Sequence, residues 1–379
     1  MDFNLTEEQL MIRESVREFA QKEVAPRAIE MDRNGEIPLE LIQKMARMGF
    51  LGIPIPEEYG GEGGSFLSYI IAIEELSRAC ASTGVTVETH TSLGTEPILN
   101  WGTEEQKKKY LPRLASGEMI GSFALTEPNA GSDAGGLETV AVEEEDCWVL
   151  NGSKIFISNS GLADLCIVMA MTDKSKGTKG ISAFIVETST PGFIIGKQED
   201  KMGIRASKTA ALTFEDCRVP KENLLGKPGE GFKIALHSLD GGRVAIAAQA
   251  LGIAKCAYDR ALEYAKERVQ FGKPIASFQA IQMMLAEMAT EIQAARMLTY
   301  HAAWLKDQGE RITKEAAMAK YYASSVAMKQ STNAVQIFGG YGYIRENGVE
   351  RLMRDAKITE IYEGTNEIQK IVIAGQILR

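Results

Sequence analysis

A carboxylate sits between an aromatic residue and a glycine in Ile361-Tyr362-Glu363-Gly364-Thr365-Asn366-Glu367-Ile368-Gln369, just after the charged run Arg351-Leu352-Met353-Arg354-Asp355-Ala356-Lys357. Glycine has no Cβ, so a ligand or another backbone can come close. A carboxylate in such a turn, walled by apolar side chains, loses hydration; its pKa rises and it becomes a stronger base. For one isolated Glu, a solvated residue in a helix-joining turn is the better explanation, so the reading depends on other segments. Phe123-Ala124-Leu125-Thr126-Glu127-Pro128-Asn129-Ala130-Gly131-Ser132-Asp133 combines a strand, a Pro-Asn turn and a Gly-Ser pair. Such a loop offers N–H groups, hydroxyls and close approach to a planar polar ligand or a phosphate, and a decorated β-turn explains it equally well. Gln336-Ile337-Phe338-Gly339-Gly340-Tyr341-Gly342-Tyr343 ends a helix with more glycines and tyrosines than a C-cap requires. It is not a G-x-G-x-x-G fingerprint, since no strand precedes it and no βαβ unit surrounds it. A dinucleotide bound by this chain would therefore not lie on a Rossmann fold. Arg268-Val269-Gln270-Phe271-Gly272-Lys273-Pro274 closes another helix. Its Arg268 and Lys273 either compensate the helix dipole or hold a pyrophosphate.

Three regimes of periodicity carry these segments. Residues 1–118 read as helical. Thr6-Glu7-Glu8-Gln9 and Thr103-Glu104-Glu105-Gln106 are capping boxes. Further helices are expected from Pro38 to Gly49, from Ser65 to Arg78 and around His90, with Tyr59-Gly60-Gly61-Glu62-Gly63-Gly64 as a flexible connection. Over 119–228, short β-branched and aromatic runs alternate with turn signals, and Asn151-Gly152 predicts a hairpin between two of them. No helical crossovers interrupt these runs, so a compact antiparallel β-domain is expected. Over 229–379 the helical period returns, with helices at about 231–270, 277–306, 312–338 and 366–378. Ile281, Met284, Leu285, Met288 and Ile292 form a core stripe. The fold class is α+β: an N-terminal helical domain, a middle antiparallel β-domain and a C-terminal four-helix bundle.

Composition narrows the function classes. The chain has 379 residues, 45% hydrophobic and 25% charged, with net charge −9. That balance argues against nucleic acid as a partner. The five cysteines have no C-x-x-C spacing, so free thiols in a reducing compartment are expected. The three histidines have no metal-ligand spacing and read as structural, and no metal is expected. No secretory signal and no membrane-length apolar run is present, which places the chain in a bacterial cytoplasm, or in the mitochondrial matrix as a trimmed mature form.

Taken together, three signatures resemble the acyl-CoA dehydrogenase family in order and spacing. They are Ala124-Leu125-Thr126-Glu127 with Gly131-Ser132-Asp133; Gln336, Gly339-Gly340, Gly342, Glu346, Arg351 and Asp355; and Tyr362-Glu363-Gly364-Thr365. The resemblance runs over nearly the whole chain. Ser238-Leu239-Asp240-Gly241-Gly242-Arg243, Gln249-Ala250-Leu251-Gly252-Ile253-Ala254 and Ile358-Thr359-Glu360-Ile361-Tyr362-Glu363 look most like the short-chain, butyryl-CoA branch. The resemblance implies an FAD enzyme. Phe123, Ala124, Leu125, Thr126, Gly131 and Ser132 would line the flavin, with Thr126 hydrogen-bonding the ring and Phe156, Ile157 and Ser158 on its other side. Arg268, Gln279, Gln336, Ile337, Phe338, Gly339 and Gly340 match positions that hold the ADP half of a neighbouring subunit's FAD. Thr365, Asn366 and Glu367 match a further contact, although the family often has Gln in place of Glu367. A site shared between chains implies an oligomer, here a homotetramer built as a dimer of dimers. Ser132, Asp240, Arg243 and Gly364 match acyl-CoA contacts, and Glu363 matches the catalytic base. Some relatives carry the base one residue before the arginine of the Asp240–Arg243 helix. Here that residue is Gly242, which argues against an isovaleryl-type enzyme.

The implied reaction is α,β-dehydrogenation of a short-chain acyl-CoA to a trans-2-enoyl-CoA. Glu363 removes the α-proton, the β-hydrogen leaves as hydride to FAD, and electrons pass on to electron-transfer flavoprotein. Other chain lengths or short branched substrates are alternatives. So are an acyl-CoA oxidase, which is usually longer, and a non-catalytic flavoprotein that binds nucleic acid, which should be basic.

Overall fold

The computed structural model describes residues 4–378. Its N-terminal part is helical: α1 (Glu7–Phe19), α2 (Ala28–Asn34), α3 (Leu39–Arg47), α4 (Phe66–Ala79), α5 (Ala81–Glu88), α6 (Glu96–Trp101) and α7 (Glu104–Ala115). Both expected capping boxes form, Thr6 with Gln9 and Thr103 with Gln106, and Ser65 caps α4. Between α5 and α6 the chain widens into a π-helical turn, Thr89–Thr95, a distortion common at functional sites.

The middle part is one sheet in the order β6-β7-β3-β2-β4-β5-β8. Its strands are β1 (Gly121–Ala124), β2 (Val140–Glu143), β3 (Cys147–Ser158), β4 (Leu165–Met171), β5 (Ile181–Glu187), β6 (Phe193–Gln198), β7 (Thr209–Pro220) and β8 (Leu224–Leu225). Most pairs are antiparallel. The sheet is nevertheless mixed, because β1 lies parallel to β4 with Gly121 opposite Leu165. The chain makes that connection without a crossover helix by routing the Leu125–Ser132 loop and the β2–β3 hairpin between the two strands. β4 is buried on both faces. Leu165, Ile167, Met169 and Met171 pack towards the helices, whereas Cys166, Val168 and Ala170 pack with Trp148 and Phe184 on the far side.

Asn151-Gly152 does not form the expected hairpin turn. Both residues lie inside β3, at a register shift against β7. The Asn151 amide is tied to Asp216 across the strands, and a Cβ on Gly152 would come 2.7 Å from the Thr139 Cα. The dipeptide therefore builds a bulge where another backbone crosses closely. The turn that reverses the chain is the acidic loop at Glu144, whose N–H bonds the Cys147 carbonyl.

The C-terminal part contains α8 (Gly231–Glu267), a short hairpin β9 (Val269–Gln270) and β10 (Lys273–Pro274), α9 (Gln279–Asp307), α10 (Thr313–Phe338), α11 (Gly340–Tyr343), α12 (Val349–Thr359) and α13 (Asn366–Ile377). The long helices match their expected spans. The charged run at 351–357 belongs to α12, a helix that the charge pattern concealed; it buries Val349, Leu352 and Ala356. The α8 seam is lined by small residues, so neighbours approach its backbone: a Cβ on Gly252 would meet the Glu74 carbonyl at 2.4 Å. Leu285, Met288 and Ile292 are buried as expected. All five cysteines are free. His90 is structural: its Nδ1 accepts from the Gly121 N–H, its Nε2 meets the Leu114 carbonyl, and burial lowers its pKa to about 4. No helix among the described residues is long and apolar enough to cross a membrane.

Candidate active site

Glu363 stands in the turn between α12 and α13 with φ 53°, followed by Gly364 at φ 92°. A left-handed non-glycine residue costs roughly 1–2 kcal/mol, so its surroundings must hold it. Several donors do so from behind. The Glu363 carbonyl accepts from Gln369 Nε2 at 3.1 Å and Arg243 Nε at 3.4 Å. The Gly364 carbonyl accepts from Lys320 Nζ at 2.8 Å and Gln369 Nε2 at 2.9 Å. Gly364 is held to glycine by its φ of 92°, a conformation side-chain-bearing residues rarely adopt. Among the described residues the Glu363 N–H makes no backbone hydrogen bond. Its Oε2 is buried and meets no donor among the described residues.

Opposite the carboxyl lies Gly242 of α8. A Cβ at that position would come 2.3 Å from Glu363 Oε2. Gly242 is thus more than a missing base: its bareness is the space the Glu363 carboxyl occupies. Next to it, Arg243 is paired with Asp240 at 2.8 Å, and Asp240 accepts from Thr313 at 2.6 Å. The expected substrate contacts Asp240 and Arg243 are therefore partly committed to bracing Glu363.

A second carboxyl, unforeseen in the sequence, shares the cavity. Glu88, the last residue of α5, is fully buried. Ser92 and Thr89 donate to its carboxylate. Burial raises its pKa to about 7, opposed by those hydroxyls. Burial, and then the charge of Glu88, hold Glu363 well above the carboxylate range, against Arg243 and Lys320. A signal for Glu88 existed: among residues 79–95 it is the only charged residue apart from His90, and a lone acid in so apolar and small a stretch is bound to be buried.

Glu363, Glu88, Arg243 and Gly364 line a cavity of about 420 Å³ with Phe123, Leu125, Thr126, Gly131, Ser132, Phe156, Ile157 and Ser158. A second cavity of about 610 Å³ runs from Thr126, Ser132, Phe156 and Ser158 past Ile361 to Thr365. Thr365 caps α13 and offers a helix N-terminus to that end. Nothing lies within 4 Å of the position a Gly131 Cβ would take. A buried ion pair fixes the loop between these walls. Lys154 Nζ bonds Glu127 at 2.7 Å and the Leu125 carbonyl at 3.1 Å, while Glu127 also accepts from the N–H groups of Glu138 and Thr139.

The remaining expected site residues are not brought together with these. Ala124 is buried on the other face of the sheet. Asn366 is turned into the bundle, with its amide bonded to Ser324, Ser325 and Lys320 and its N–H to the Glu360 carbonyl. Glu367 is exposed in the first turn of α13. Arg268, Ile337, Phe338, Gly339 and Gly340 line a separate surface pocket of about 490 Å³ that shares no residue with the two cavities. Gln279 and Gln336 are exposed outside its lining.

A helical part, a sheet and a helical bundle enclosing a half-buried glutamate at the wall of a cavity define an acyl-CoA dehydrogenase. The chain matches the family's N-terminal domain over residues 6–118, its middle domain over 122–217 and its C-terminal domain over 229–378. It belongs to the acyl-CoA dehydrogenase family, whose members are FAD-dependent oxidoreductases. It is 58% identical to the short-chain specific acyl-CoA dehydrogenase of Clostridium acetobutylicum, with all of both chains covered. The butyryl-CoA dehydrogenase of Megasphaera elsdenii superposes with TM-score 0.99 at 53% identity, again over all of both chains. A chain solved in work on the electron transferring flavoprotein of Acidaminococcus fermentans is 57% identical, with TM-score 0.99 and full coverage of both.

Proposed function

We propose that this chain dehydrogenates short-chain acyl-CoA thioesters to trans-2-enoyl-CoA and passes the electrons to electron transferring flavoprotein. The observation that carries the proposal is the Glu363 carboxyl, which faces the Glu88 carboxyl and has a buried Oε2 that meets no donor among the described residues, beside its own unengaged N–H at one cavity. A thioester carbonyl placed on that N–H has developing negative charge stabilised as the α-proton leaves. The carboxyl on the same residue then takes the proton. A positioned base contributes about 10²–10⁴ in rate. Thr126, Ser132, Phe156, Ser158 and Thr365 would hold FAD along the larger cavity. When bound, FAD supplies the two-electron acceptor for the β-hydrogen.

The CoA portion fits the open cleft of about 780 Å³ that shares the walls Phe232, Leu236, Arg243 and Val372 with the acyl cavity. Lys179, Lys233 and Arg311 on that cleft suit its phosphates. The acyl cavity takes walls from each of the units 1–118, 119–228 and 229–379. Glu88 and Thr89, polar groups in its lining, give no return for additional methylenes, which favours a short chain. The detached pocket at Arg268 and Gly339–Gly340, ringed by exposed Phe271, Tyr341, Tyr343 and Ile344, supports a cofactor site completed by a second copy, in keeping with the homotetramer that the family resemblance implies.

The test is anaerobic bleaching of the flavin absorbance by saturated acyl-CoAs from butyryl to palmitoyl, with isobutyryl and isovaleryl included. Butyryl-CoA is expected to bleach fastest. Glu363→Gln is expected to stay yellow, bind acyl-CoA and bleach slower by at least about 10²-fold. Near-normal bleaching by that variant would remove Glu363 from its role.

A further inference from the structure

Lys320 is a lysine with no exposed surface, set among the alanines of α10. The reaction has no proton or charge to route through it, and it lines none of the cavities described above. Its Nζ reaches the Gly364 carbonyl at 2.8 Å and the Asn366 side-chain carbonyl at 3.2 Å, and among the described residues no carboxylate is bonded to it. A buried ammonium without a bonded counter-ion is costly, which demands a reason for its presence. The Gly364 carbonyl it grips belongs to the strained pair of left-handed residues that aims both the base and its N–H. Rotating that peptide would turn Glu363 away from the cavity.

We infer that Lys320 is a positioning residue for proton abstraction: from behind the turn, its ammonium locks the Glu363–Gly364 backbone and lends positive charge to the base. This rests on Glu363 being the base. The charged groups facing Lys320 are Glu363 in the turn, Arg243 on α8, Glu360 after α12 and Glu367 on α13. Burial pulls the Lys320 pKa down to about 7, against the pull of Glu363. Lys320 in turn lowers the pKa of Glu363. A neutral residue at 320 therefore leaves Glu363 protonated up to a higher pH.

Two variants of the FAD-loaded full chain separate grip from charge. Lys320→Met removes both, whereas Lys320→Gln keeps a donor for the Gly364 carbonyl and removes the charge. With butyryl-CoA, Lys320→Met is expected to lower the bleaching rate constant about 10- to 100-fold, while the half-saturating concentration changes less than about twofold. In both variants the acid limb of the rate–pH profile should move to higher pH by about half a unit to one unit. Lys320→Gln should recover most of the rate on the alkaline plateau. A folded, yellow variant with an unmoved limb would overturn the role of Lys320 and leave Glu363 intact. If Lys320→Met does not fold, the limb of Lys320→Gln alone decides. A wild-type protein that no acyl-CoA bleaches overturns the proposed function and this role together.

Discussion

Replacing Gly242 with alanine puts stability and catalysis in opposition. Gly242 lies in the interior of α8. By helix propensity alone, Gly→Ala there stabilises by about 0.5–1 kcal/mol. The new Cβ, however, would lie 2.3 Å from Glu363 Oε2, whereas ordinary contact begins at 3.4 Å. The carboxyl must therefore retreat by about 1 Å. It is the end of a flexible side chain, so the fold survives the retreat. The aim of the base does not, and a misplacement of about 1 Å costs on the order of 10²-fold, or about 2.7 kcal/mol in the barrier. Gly242→Ala is thus expected to unfold at the wild-type temperature or above, retain its yellow colour and bleach with butyryl-CoA about a hundredfold more slowly. Stopped-flow bleaching beside a thermal melt measures both. A variant that bleaches at the wild-type rate would show that the Glu363 carboxyl does not need this space. One that melts early would show that the helix, rather than the base, registers the collision.

Removing the second carboxyl with Glu88→Gln deletes the charge that helps raise Glu363, so the acid limb of the bleaching profile should move to lower pH. Glu88 has a folded pKa near 7, above its ordinary 4.5. Its contribution to stability is therefore full below pH 4.5 and falls as pH rises to 7, a loss of up to roughly 3 kcal/mol. Glu88→Gln should accordingly melt higher than wild type at pH 8 and nearly equal to it at pH 5, and an equal gap at both would contradict the burial argument. Lys154→Met strands Glu127 beneath the Leu125–Ser132 loop. Breaking such a buried pair costs about 3–5 kcal/mol, so a lowered melting temperature and weakened flavin retention are expected, and an unchanged melt would count against that pin.

Much of this architecture was legible because it is written in local chemistry. Thr6 and Thr103 announce their helices through side chains that bond three residues away, and Leu285, Met288 and Ile292 repeat on one helix face. Asn151-Gly152 misled because glycine records only that something passes close: a turn and a bulge under Thr139 require the same residue. Helix α12 escaped notice because Arg351 and Asp355 look like solvated charges, whereas the structure buries both. The turn at Glu363 was recognisable from its own residues. The family resemblance had already brought Gly242 and Arg243 to the site, but Lys320 and Glu88 carried no such mark, and they reach it from helices far away in the chain. Only the fold brings them to one point. The separation of Arg268 and Gly339 from Thr126 and Thr365 agrees with the resemblance, which assigns the first pair to a neighbouring subunit's cofactor.

The fit between Gly242 and Glu363 also constrains how such an enzyme can change. The two positions, 121 residues apart, share the volume of a single carboxyl group. A lineage that moved its base from one side of the cleft to the other could not acquire the new glutamate first without driving the Glu363 carboxyl from its place. Nor could it give up the old one first without passing through an inactive protein. If Glu363 has the proposed role, each arrangement is separated from its mirror by a double substitution.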